Sequence, residues 1–220
     1  MFFMEDFDQI IIADKPAGVS SFGVVARVRR QLSERAGRKI KVGHTGTLDP
    51  FATGLMILLS GKFTRRAGEF SKLDKVYEAN VCLVAVSTTG DPEGEITEQS
   101  VESIPSEDEI RQALKKFTGQ ITQTPPAFSA IKVDGQRAYK LAREGKPVEI
   151  PPRQVEIYQI ELLSYEYPKL RIRAHVSSGT YIRTLAEDIG KYLKTGAYVT
   201  ELRRTRVGDF DLENAIKIEK

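Results

Sequence analysis

One cysteine, Cys82, stands in a chain of 220 residues. An internal disulfide is therefore impossible, and a thiolate metal cluster is excluded. Set in an apolar run, Cys82 reads as an inert core thiol. Histidine is almost as scarce. His44 and His175 are the whole supply, too few convergent ligands for a metal site, and His175 falls in the polar phase of its strand. Long apolar runs are missing too. Leu55 to Leu59 is far short of the roughly 18 residues that span a bilayer, so no membrane segment is expected. Phe2 and Phe3 are followed by Glu5, Asp6 and Asp8, the wrong charge sign for a signal peptide. A cytoplasmic protein is the expectation.

Two nucleophile and nucleotide signatures are also absent. "GLMILLSGKF" resembles a phosphate-binding loop only superficially, because Phe63 stands where Ser or Thr must hold magnesium and the glycine spacing is too long. No G-x-S-x-G elbow accompanies His44 and Asp49, which argues against a Ser-His-Asp hydrolase.

What the chain does have is an uneven charge distribution and a regular alternation of elements. The net charge is only +3, yet Arg27 to Lys41 holds seven bases and one acid, Glu34, while Asp91 to Glu109 holds eight acids and no base. Further basic groups lie at Lys62, Arg65, Arg66, Lys72 and Lys75, and at Arg203, Arg204 and Arg206. Each alone reads as a solvated face; together they point to a phosphate backbone as partner. "QIIIAD", "TGLMILLSG" and "KVYEANVCLVAVS" read as strands, as do Val155 to Ser164 and Leu170 to Ser177. "SSFGVVARVRRQLSERAG" predicts a helix with Ser caps and a stop near Gly37. Ser106 and Glu109 form a capping-box pattern for a helix to about Phe117. "SSGTYIRTLAEDIGKYLKTG" predicts another, whose first turn presents Tyr181 and Arg183. A short helix is expected around Ala138 to Arg143. The class is α+β with a mainly antiparallel, mixed sheet flanked by helices, in one continuous domain.

The passage "GHTGTLDPFATG", Gly43 to Gly54, surrounds Asp49 with glycines and threonines. On spacing alone it is a turn, since Asp before Pro initiates turns and glycine supplies positive φ. In context it is more. "GHTGTLDPFATGLMILLSGKFTR", with "DKPAGVSS" before it and "KVYEA" and "SSGTYIRTLAEDIG" after it, resembles the TruB family of pseudouridine synthases. The likeness runs from about Ile11 to Phe210, and "TPPAFSAIKVDGQRAYKLAREG" is similar to the family's insertion that clasps the tRNA T-arm.

The resemblance implies the pseudouridine synthase catalytic fold over residues 1–220, with the RNA-binding insertion at about 122–150. It implies a cofactor-free, metal-free isomerase acting on a T-loop uridine of tRNA. A monomer without guide RNA is expected. Asp49 matches the family's essential aspartate, Tyr77 the tyrosine on the flipped base, and Arg183 the arginine paired with that aspartate. His44, Tyr181 and Leu202 match substrate-contacting positions, and Lys15 and Arg65 are expected at the substrate, Arg65 where many relatives have Lys. Relatives usually have Gly at Val84 and Thr-Asp at Ser87-Thr88. The chain stops after "VGDFDLENAIKIEK", whereas typical members continue into a PUA-type RNA-binding domain, so weaker tRNA binding with retained chemistry is expected.

These residue types suit the reaction. Breaking the N1–C1′ bond, turning the uracil and joining C5 to C1′ needs an ionised carboxylate, which can attack C1′ or C6 or assist loss of a sugar proton. A guanidinium beside that carboxylate would hold its pKa down. Small residues around Asp49 would let an RNA backbone approach. An RNA N-glycosylase or a non-catalytic tRNA chaperone are the competing classes, the first lacking an evident second carboxylate beside Asp49.

Overall fold

The computed structural model describes residues 7–133 and 135–219; Phe2, Phe3, Glu5 and Asp6, read above for polarity and charge, lie outside them. The chain divides into two compact units where the sequence reading treated it as one continuous domain. Unit 1 joins Met1–Lys75 to Arg203–Lys220, and unit 2 is Val76–Leu202.

Unit 1 opens with β1 (Ile10–Lys15) and α1 (Ser21–Ala36). The Ser20 hydroxyl accepts from the Gly23 N–H at 3.0 Å, which satisfies one of the donors orphaned at a helix start. Gly37, at φ 63°, ends the helix in the left-handed conformation. Val24, Val25, Val28 and Leu32 form its buried stripe, the predicted spacing. Next come β2 (Val42–His44) and β3 (Thr53–Ser60), which is buried at every position after Thr53. A 3₁₀ turn, Gly61–Arg66, leads into α2 (Ala67–Ser71).

Unit 2 takes up β4 (Lys75–Cys82) at its second residue, with alternate side chains buried as a half-covered strand requires. β5 (Ala85–Ser87) and β6 (Ile96–Glu98) pair antiparallel. α3 (Glu107–Lys116) carries the predicted capping box, the Ser106 hydroxyl accepting from the Glu109 N–H and the Glu109 carboxylate from the Ser106 N–H. β7 (Gly119–Gln123) is followed by a small ladder, β8 (Lys132–Val133) with β9 (Gln136–Arg137), and by α4 (Ala138–Arg143), where the sequence places it. β10 (Arg153–Glu166) and β11 (Lys169–Val176) form a hairpin, followed by α5 (Ile182–Leu193).

β12 (Tyr198–Val207) begins in unit 2 and ends in unit 1, and β13 (Ile216–Lys217) closes the chain's strands. In unit 1 the order is β13-β1-β3-β12, with β2 also on β3; β1 and β2 run antiparallel to β3 while β12 runs parallel. In unit 2 the order is β12-β4-β11-β10-β7. The α+β class and the mixed, mainly antiparallel sheet are as expected. Unit 1 is centred on Leu55, Ile57, Leu59, Phe70 and Val207. Unit 2 buries Ile157, Ile172, Val176, Leu185 and Ile189. Each such side chain contributes about 1.5–3 kcal/mol on leaving water. Cys82 is half-buried, and burial pushes its thiol pKa up, consistent with an unreactive group.

Candidate active site

Asp49 lies on the loop between β2 and β3, half-buried, with Leu48 and Ala52 buried on either side. Its backbone is gripped by three polar side chains of unit 1. The Ser21 hydroxyl, in the first turn of α1, accepts from the Leu48 N–H and donates to the Leu48 carbonyl, both at 2.8 Å. The Lys15 ammonium donates to the carbonyls of Val19 at 2.7 Å, Pro16 at 3.0 Å and Pro50 at 3.0 Å. Arg204 donates through Nε to the Leu55 carbonyl at 2.7 Å, and its terminal nitrogens reach Gly46 O at 3.1 Å and Thr47 O at 3.4 Å. Charged donors on buried carbonyls are worth about 1.5–3 kcal/mol each, and losing one strands its acceptor. The backbone on both sides of Asp49 is thus fixed, which sets where its side chain starts.

Lys15, expected at the substrate, is 0% exposed, with its ammonium on the carbonyls beneath the loop. The small residues also serve the chain itself. Gly54, at φ 104°, pairs in parallel with Arg204, and an added Cβ would lie 2.2 Å from the Arg204 carbonyl oxygen. Only glycine lets β12 come that close. His44 is half-buried at the end of β2, opposite Leu58 of β3.

Unit 2 holds the other expected residues. Tyr77 is buried on β4. Arg183, 3% exposed, is the second residue of α5. Within its unit it forms an ion pair with Asp91 at 3.1 Å and donates to Thr89 O at 2.7 Å and Phe128 O at 2.8 Å. Asp91 in turn accepts from the Thr89 hydroxyl at 2.6 Å and the Glu93 N–H at 3.0 Å. The acidic stretch Asp91 to Glu109 therefore begins with a buried partner of Arg183. Tyr181 caps α5; its N–H donates to Gln123 Oε1 at 2.8 Å and its carbonyl accepts from Gln123 Nε2 at 3.0 Å. Leu202 is buried near the middle of β12. On α5, burial raises the carboxyl pKa of both Glu187 and Asp188.

The three basic clusters do not fare alike. Arg203 pairs with Asp14 at 2.8 Å, Arg204 is buried, and Arg206 pairs with Asp74 at 3.3 Å. That group is structural. In the second group, Lys62 meets Asp8 at 3.4 Å, Arg66 meets Glu69 at 2.8 Å, and Lys75 is buried on the carbonyls of Ser71 and Leu73. Arg65 and Lys72 are exposed. The α1 group keeps the most surface charge, with Arg30, Arg38, Lys39 and Lys41 exposed. Sequence reasoning missed Ser21, Arg204, Asp91 and Gln123. The alternation in "YVTELRRTRV" was the available signal for an inward Arg204. Among the described residues, no three His, Cys, Asp or Glu side chains converge as metal ligands.

Against known proteins, residues 29–182 match the TruB family pseudouridylate synthase N-terminal domain, and residues 183–220 match a tRNA pseudouridylate synthase B C-terminal domain. A tRNA pseudouridine synthase B of Phocaeicola vulgatus is 46% identical over 96% of this chain and 90% of its own length. One of Cupriavidus metallidurans is 45% identical over 98% of this chain and 67% of its own. Among solved structures, a crystal structure of a Cbf5-Nop10-Gar1 complex superposes with a TM-score of 0.72 at 32% identity, covering 96% of this chain and 52% of that one.

Proposed function

The chain belongs to the TruB family of pseudouridine synthases, and from that membership we propose that it isomerises one T-loop uridine of tRNA to pseudouridine. The observation that carries the proposal is the Asp49 loop: a half-buried carboxylate whose flanking peptides are held by buried Lys15, Ser21 and Arg204, the kind of preorganisation that positioning a reactive group demands.

The target base must leave its stack, at a cost of a few kcal/mol. Tyr77 then supplies a ring against the uracil, and such stacking is worth roughly 1–3 kcal/mol per base. Asp49, ionised, attacks the nucleotide or assists loss of a sugar proton, so that N1–C1′ breaks; the uracil turns while held, and C5–C1′ forms as the C5 proton leaves. Arg183 is assigned to keeping the Asp49 carboxylate charged, with His44, Tyr181, Leu202 and Arg65 on the RNA. The insertion grips the T-arm. The enzyme acts in the cytoplasm, as a monomer, with no cofactor, metal or guide RNA.

The test is tritium release from unmodified tRNA transcript labelled at uracil C5, with the product nucleotide mapped. Stoichiometric release at one T-loop uridine, lost in Asp49→Asn while tRNA binding persists, is the expected result. Free uracil in place of pseudouridine would instead identify a glycosylase, and binding without release in the wild type would identify a chaperone.

A further inference from the structure

Arg153 is a cation with no anion beside it among the described residues. It is the first residue of β10, in register with Gln123 of β7, the residue that brackets the Tyr181 peptide. Its guanidinium lies over the Tyr181 ring, 5.2 Å from the centroid, and one terminal nitrogen donates to the Gly179 carbonyl. Its Nε is buried with no hydrogen-bond partner. Among the described residues no carboxylate pairs with it, whereas Arg173, Arg183, Arg203 and Arg206 each have one. Gly179, at φ 87°, lets the turn before α5 close over this side chain, since a Cβ there would sit 3.2 Å from an Arg153 nitrogen. The group is therefore held flat and oriented on a half-buried residue, its Nε enclosed and its terminal nitrogens left to meet a ligand.

We propose that Arg153 binds a phosphate of the substrate RNA, directing its free donors to the backbone beside Tyr181; this rests on the RNA-modifying function proposed above. A phosphate is the fitting ligand because the guanidinium fork matches its oxygens and supplies the missing charge.

The experiment compares wild type, Arg153→Gln and Arg153→Lys in binding a T-arm stem-loop over a range of salt, and then stem-loops carrying one neutral methylphosphonate at each position in turn. The expected result is a salt slope lower by about 0.7–0.9 in Arg153→Gln, the value of one phosphate contact, with affinity down roughly tenfold. Arg153→Lys, keeping the charge, retains the slope. One methylphosphonate that weakens wild type should have no further effect in Arg153→Gln. An unchanged slope and a scan that superposes on wild type would overturn the proposal and leave Arg153 a brace for Tyr181. If Arg153→Gln does not fold, as judged by circular dichroism, Arg153→Met takes its place in both measurements: a lower slope with the effect at one phosphate lost supports the contact, and an unchanged slope with coincident scans rejects it. Tritium release is measured in parallel. A wild type that shows the phosphate contact but makes no pseudouridine sinks the functional reading alone, and the reverse sinks this proposal alone.

Discussion

Lys75 shows how much a single buried charge can reveal. Burial, with Arg204 nearby as the second cause, lowers its pKa from the usual lysine value to about 8. In the unfolded chain it titrates near 10.4. Between about pH 8 and pH 10.4 the unfolded state therefore holds the extra proton, and stability from this group rises with pH across that window. Denaturant unfolding at stepped pH should show the upward slope, and Lys75→Met should flatten it. A slope that survives the substitution would place its source elsewhere. Asp49, Tyr77 and Arg183 were singled out because the motifs around them are specific, and the roles proposed for them rest on those motifs. The burial of Lys15 was not legible, because nothing in "DKPAG" tells that its ammonium turns inward onto carbonyls.

Elements built from local signals were read well, and those built from distant ones were not. α1, α3 and α5 were predicted because caps and apolar spacing lie within a few residues of each other. β12 was taken for a basic cluster, since the acceptors of Arg204 lie about 150 residues away in sequence. The same contrast predicts two mutational outcomes. Ser106→Ala removes the α3 capping box and should lower stability by about 1 kcal/mol in urea unfolding, with turnover unchanged. Gly54→Ala meets both a positive φ and the Arg204 backbone, and should destabilise by on the order of 3 kcal/mol or more while depressing turnover. Equal effects of the two would show that the β3–β12 contact is not what positions the loop.

At the scale of the whole molecule, charge separates structure from binding. Arg206 and Asp74 form a half-exposed pair, worth about 0–1 kcal/mol; Arg206→Ala should leave the salt dependence of tRNA binding intact. Reversing Arg30 and Lys39 together should lower that slope by up to about 2, if each neutralises one phosphate. An unchanged slope would remove α1 from the RNA interface.

Unit 1 is made from the two ends of the chain, and Arg204 enters the Asp49 loop from the second of them. The consequence is one of timing. A ribosome emits Asp49 early, but the guanidinium that fixes the loop emerges about 155 residues later, at 5–20 residues per second as bacterial and eukaryotic synthesis span. Until then the nascent polypeptide carries Asp49 on a loop that Lys15 and Ser21 can hold but Arg204 cannot. The full set of backbone bonds around the loop closes only when Arg204 has emerged and β12 has docked beside Gly54, late in the synthesis of these residues.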